Sequence, residues 1–146
     1  MGEDKLDAMR QAAQEIMPRH GVLLAYLHGS QATGTDTPLS DIDVAILTAE
    51  SMSPRDRLRL ELTLEIELAA CCPGDYDVRS LNQAPLEVKG RVVQSGRLLY
   101  SKDQKTRVEF EETVRGRYFD FLPVIRYHRD AYFRACRAAL EDRGHT

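Results

Sequence analysis

Two short apolar segments, Val22 to Leu27 and Ser40 to Leu47, bracket a polar stretch holding Gly29, Ser30, Gly34, Thr35, Asp36, Thr37 and Pro38, and no other feature restricts the chain as much. The first reads as a strand that empties into a turn, because a short apolar run ends abruptly at glycine and serine. The second, Ser40-Asp41-Ile42-Asp43-Val44-Ala45-Ile46-Leu47, reads as a strand with carboxylates at i and i+2 and apolar residues between them. Side-chain alternation then puts Asp41 and Asp43 on one face, roughly 6 to 7 Å apart along the backbone.

Each piece has a chemical use. Glycine at position 29 lets backbone approach an anion closely. Ser30 adds a hydroxyl and an amide, and a helix starting there would aim free N–H groups at a phosphate. Paired carboxylates in a largely apolar strand repel each other and are costly to desolvate unless a hard divalent cation sits between them. Magnesium accepts such oxygen ligands and completes its shell with water and substrate phosphates. Two such ions about 3.5 to 4 Å apart can stabilise attacking and leaving oxygens together. A bare D-x-D is more often a solvated edge strand. A glycine-serine turn ten residues ahead of it reverses that reading.

These residues resemble the minimal nucleotidyltransferase (MNT) domains of the DNA polymerase beta superfamily, whose signature is a glycine-serine turn, ten intervening residues, D-x-D, and a third acid on a later strand. Gly29-Ser30 and Asp41-Ile42-Asp43 match that spacing, and Asp75-Tyr76-Asp77-Val78-Arg79-Ser80 resembles the third-acid strand. The resemblance carries the third acid to Asp77, with Asp75 as the alternative because it would share that face. It implies a small mixed α/β (α+β) sheet with flanking helices, the polymerase beta-like nucleotidyltransferase fold, and a C-terminal helical extension. It also implies that Asp41, Asp43 and Asp77 are catalytic and hold Mg2+, two ions in all, and that Gly29 and Ser30 bind the phosphates of ATP. Two positions depart from the pattern: Thr33 stands where many members carry arginine, and Ser80 where many carry a further acid. Threonine cannot supply a bidentate cationic fork.

Small free-standing members resemble the antitoxin half of HEPN/MNT toxin–antitoxin pairs. The resemblance therefore implies transfer of AMP from ATP to a tyrosine of a HEPN-domain ribonuclease, which is thereby silenced. Two other readings stand beside it: an antitoxin subunit that acts by occlusion, and a small-molecule transferase like the aminoglycoside nucleotidyltransferases. The chain of 146 residues suits one domain, divided into a core over 1–102 and a helical extension over 103–146, without room for a separate substrate domain. A net charge of −3 argues against general nucleic-acid binding. The basic run Arg126, His128, Arg129, Arg134 and Arg137 reads equally as a solvated helix face or a partner surface. No apolar run of membrane-spanning length and no basic-then-apolar leader is present, so a cytoplasmic protein is expected. The three cysteines, Cys71, Cys72 and Cys136, have neither disulfide nor zinc spacing and read as reduced, packed thiols.

The remaining pattern sets the helices. Leu6, Met9, Ala13, Ile16 and Met17 recur at helical spacing, with Pro18 and Gly21 as the stop. From Leu58 to Leu68 apolar and polar residues alternate strictly, which has the period of a strand. Ser53-Pro54-Arg55-Asp56 nevertheless looks like a capped helix start, and helix is favoured for 57–68. Such a helix carries leucines on two opposed sides, one of which would need a second partner such as another subunit. Pro85 to Gln94 reads as a helix in which Lys89 or Arg91 could face phosphates, and Arg97 to Tyr100 as a short strand. His28 reads most simply as the residue before the turn. From Asp103 onward Phe110, Val114, Tyr118, Phe121, Leu122 and Ile125 hold one helical stripe, continued by Tyr132, Ala135, Cys136 and Ala139, with Pro123 permitting a kink. That stripe is expected in the core or at a subunit contact.

Overall fold

The computed structural model describes residues 1–34 and 40–144. The loop expected across Thr35, Asp36, Thr37 and Pro38 lies outside the described residues. The elements run α1 (Glu3–Arg19), β1 (Leu24–His28), α2 (Ser30–Thr33), β2 (Ile42–Leu47), α3 (Pro54–Cys71), β3 (Tyr76–Ser80), α4 (Leu86–Ser95), β4 (Arg97–Ser101) and α5 (Gln104–Gly144). The strands form one sheet in the order β3-β2-β1-β4, with β2 and β3 parallel and the other two pairings antiparallel. The expected small mixed sheet with flanking helices is what the chain forms.

Strand alternation divides the core in two. Ala25 and Leu27 of β1, Ile42, Val44 and Ile46 of β2, and Tyr76 and Val78 of β3 pack under α1 and α3. Leu24, Tyr26 and Ala45 pack instead with Leu81 and Val92, on the face covered by α4 and the start of α5. Tyr26 donates to Glu111 Oε1 of α5 at 2.9 Å, and burial followed by that carboxylate pushes its pKa upward.

The ambiguous segment is helical, and the structure explains its alternating pattern. Ser53 caps α3 by accepting from the Asp56 N–H, and Pro54 occupies the first turn. Leu60, Leu64 and Leu68 are buried against the sheet, each worth about 1.5 to 3 kcal/mol. Glu65 and Glu61 accept hydrogen bonds from the Val78 and Ser80 N–H groups at 3.0 and 2.8 Å. They satisfy the outer edge of β3, where unpaired donors would otherwise invite another strand. Leu58, Leu62 and Ile66 form the opposed stripe and are 52 to 72% exposed.

Several sequence expectations need correcting. Pro18 does not stop α1, which runs to Arg19; a proline in the last turn forfeits one helical bond, and the chain reverses only where Gly21 adopts φ +69°. Of the three cysteines one is packed, Cys72, which lies against the core beneath α1 and α3. Cys71 and Cys136 are exposed and Cys72 is half-buried, because Cys71 ends α3 and Cys136 lies far along a helix that other elements cease to cover. The stripe on α5 is likewise buried only near its start. Val114 is enclosed and Tyr118 lies against Gly90, whereas Phe121 is 53% and Tyr132 66% exposed. At the usual rise per residue α5 is about 60 Å long, longer than the sheet it crosses. No helix among the described residues is long and apolar enough to cross a membrane.

Candidate active site

The site is built where β1 ends and β2 and β3 begin. Register places His28 opposite Asp43, and Asp43 opposite Asp77, so these three side chains form one row across three strands. They share the sheet face that α4 covers, since their strand neighbours Leu27, Val44 and Val78 point to the other. Asp41 lies one residue before β2 and is exposed; Asp43 and Asp77 are half-buried. Asp75 precedes β3, is exposed, and gives its carbonyl to the Ile42 N–H at 2.7 Å.

Gly29 joins this row to the phosphate-type turn. Its φ of +71° and ψ of −153° fall in a region essentially confined to glycine, and a Cβ there would collide with Asp43 Oδ2. Ser30 begins α2, a single turn that ends at Thr33 before Gly34 at φ +76°. Thr33 turns its hydroxyl back onto the Gly29 and Ser30 carbonyls at 3.3 and 3.4 Å. It therefore braces the turn and presents no positive charge.

Charge in the row is crowded. Burial raises the Asp43 pKa; His28 opposes that shift, Asp77 and Asp41 add to it, and Arg79 opposes it. His28 is pushed the other way, its pKa lowered chiefly by burial against the pull of Asp43 and Asp77. Its Nε2 is buried and has no hydrogen-bond partner. Asp77 Oδ1 accepts from Arg79 Nε at 2.8 Å. Among the described residues no three acidic, histidine or cysteine side chains converge on one metal position. Asp41, Asp43 and Asp77 nevertheless offer only oxygen donors, from facing backbone positions, and repulsion from Asp77 and Asp41 adds to the burial that raises the Asp43 pKa. Such a set suits a hard divalent cation.

Sequence reasoning missed three features. Arg79 holds Asp77, and the signal was available, since i and i+2 on a strand share a face. His28 joins the acid row through antiparallel register, which no local pattern reveals. Lys89 and Arg91 are separated by the helix they share. Arg91 lines a cavity of about 310 Å³ with Ser95, facing His28, Gly29 and Thr33. Lys89 lines another groove, beside Glu50 and Asn82 near the far end of β2.

A mixed four-stranded sheet that brings a glycine turn against two registered carboxylates is the architecture of a nucleotidyltransferase. The chain belongs to the family described as "Polymerase beta, Nucleotidyltransferase", whose profile matches residues 11–105. It is 31% identical over 91 residues to the protein adenylyltransferase MntA of Shewanella oneidensis, a match spanning 62% of this chain and 63% of that relative's length, less than two thirds of it. Its fold is similar to a chain of a crystal structure of a toxin–antitoxin with AMP-PNP, at 24% identity and a TM-score of 0.64, covering 88% of this chain and 98% of the other. It is also similar to a chain in the structure of a tri-AMPylated Shewanella oneidensis HEPN toxin in complex with MNT antitoxin, at 21% identity and a TM-score of 0.65, with the same coverage.

Proposed function

We propose that this chain transfers AMP from ATP to a tyrosine hydroxyl of a HEPN-domain ribonuclease and so acts as its antitoxin. The observation that carries the reading is the packing of the Gly29 turn against Asp43, with Asp77 in register beside it. The relatives support the choice of reaction: one is a protein adenylyltransferase, and similar folds occur with AMP-PNP and with a tri-AMPylated HEPN toxin. ATP and an intracellular ribonuclease as substrates suit a cytoplasmic location.

In this mechanism Gly29 and Ser30 hold the triphosphate through backbone N–H groups and the hydroxyl. Asp41, Asp43 and Asp77 are the residues that would hold magnesium, which would supply charge neutralisation on the triphosphate and a more acidic acceptor hydroxyl. Asp77, which accepts from Arg79, orients the acceptor and takes its proton. The acceptor oxygen bonds to the α-phosphorus as the bond to the bridging oxygen breaks, and that electron pair departs on pyrophosphate. Positioning and electrostatics supply most of the rate enhancement. The exposed apolar faces of α3 and α5 leave surface for a protein that brings its own acceptor.

Occlusion without catalysis is the second reading, favoured by the uncharged Thr33 and by the Arg79 bond that occupies Asp77. Label transfer separates the two. Purified protein, magnesium and ATP labelled on the α-phosphate are mixed with lysate of the host, beside Asp43→Asn and a γ-labelled control. Alpha label on one protein band with wild type alone, located on tyrosine by mass spectrometry in a HEPN ribonuclease, is the expected result. Absence of labelled protein or small molecule, with a ribonuclease still inhibited on binding, sinks the catalytic reading.

A further inference from the structure

We propose that Arg91 and His28 form the subsite that holds the β- and γ-phosphates of the nucleotide and then the departing pyrophosphate, an inference that rests on the transferase reading above. The cavity beside Gly29 measures about 310 Å³, within the range of small-molecule sites. One wall is the glycine turn, and the other is the face of α4 that carries Arg91 and Ser95 one turn apart.

The polar groups around this cavity call for an anion. Arg91 is exposed, lies on its rim, and makes no ion pair among the described residues. Ser95 donates to the Arg91 carbonyl at 2.8 Å, which ties the two together at the end of α4. Across the cavity, His28 buries Nε2 without a partner, an arrangement that costs stability unless a ligand supplies the bond. As the N–H tautomer, that nitrogen donates to a phosphate oxygen.

Position decides which part of the nucleotide is held. Asp41, Asp43 and Asp77 make the strand side of the Gly29 turn negative, so polyphosphate oxygens need a cation from the opposite side. The single-turn α2 has none, its residues being Ser30, Gln31, Ala32 and Thr33. Arg91 is the cationic side chain lining this cavity, and its planar fork suits two phosphate oxygens at once. Lys89, two residues earlier on the same helix, points into the groove beside Glu50 and Asn82 and cannot substitute.

The test is calorimetric binding of inorganic pyrophosphate, ATP and AMP in magnesium, read beside AMP transfer, for wild type, Arg91→Ala, Arg91→Lys, His28→Phe and Lys89→Ala. Arg91→Ala should weaken pyrophosphate and ATP about tenfold or more and leave AMP within about twofold, since only the first two carry the groups it holds. Arg91→Lys should recover part of the loss, His28→Phe should weaken the same two ligands, and Lys89→Ala should match wild type. Position 91 is on an exposed helix face and alanine is a good helix former, so circular dichroism should show the fold intact. Wild-type affinity for pyrophosphate and ATP in Arg91→Ala, with AMP transfer preserved, overturns the subsite and leaves the transferase reading standing. Equal weakening of AMP also overturns it. Failure of wild type to bind ATP or pyrophosphate, or to transfer AMP, overturns the transferase reading, and absent binding removes the subsite with it.

Discussion

Gly29 and Asp43 are packed so closely that a single methyl group on the glycine would meet the Asp43 carboxylate at Oδ2. The glycine turn and the acid row are therefore one unit, and a change in either displaces the other. Gly29→Ala combines that collision with a backbone conformation closed to alanine, at a cost of about 1 to 3 kcal/mol for the strain alone. Chemical denaturation should show the loss of stability, and AMP transfer should fall with it. A variant as stable as wild type would show that the turn relaxes without cost.

Asp43→Asn should separate activity from stability. Burial, assisted by Asp77 and Asp41 against His28 and Arg79, raises the Asp43 pKa in the fold. A carboxylate with a raised folded-state pKa favours the folded state while protonated, and that contribution is lost as pH rises through the folded value. At neutral pH the ionised group is thus a liability, and asparagine removes it. In metal-free buffer the melting temperature should be unchanged or higher, whereas transfer should drop about a hundredfold or more. A clear fall in melting temperature would show that the carboxylate makes stabilising contacts that offset its repulsion.

Glu61 and Glu65 guard the outer edge of β3. Glu65→Ala leaves the Val78 N–H without its acceptor, and Glu61→Ala does the same for Ser80, each costing about 1 to 2 kcal/mol. Glutamine keeps an acceptor at either position and should cost less. The double alanine variant should also self-associate as the edge opens, detectable by light scattering during concentration. A monodisperse, equally stable double variant would mean that water satisfies this edge.

Asp103 caps the long C-terminal helix, accepting from the Thr106 N–H at 2.7 Å, and that bond lowers its pKa. The sign follows from linkage: a depressed folded-state pKa stabilises the fold above the ordinary carboxylate range, and the contribution disappears as pH falls through the depressed value. Asp103→Ala should lower stability near neutral pH and lessen its decline on acidification, whereas Asp103→Asn should retain the cap. Melting curves across about pH 2 to 7, the span of carboxylate titration, check this. Parallel curves for wild type and alanine would show that the cap bond contributes nothing.

The sequence alone determined the features that depend on local periodicity and backbone chemistry. Alternation in Ile42 to Leu47 set the strand and the face on which Asp43 lies, and Gly29 marked a position where the turn needs a conformation other residues avoid. Ser53 and Pro54 outweighed the period-two pattern of α3, because a cap and a preset φ act within a few residues. Tertiary structure decided what depends on partners distant in the chain. The reason for the alternation itself, leucines inward and glutamates on the β3 edge, appears only once β3 lies beside α3. Strand register brought His28 and Asp77 to Asp43, and helix packing sent Arg91 to the Gly29 cavity and Lys89 away from it. The exposure of Cys136 and Tyr132 was likewise decided by how far the sheet extends under α5, since an apolar stripe records a capacity for burial and only a neighbouring element supplies it.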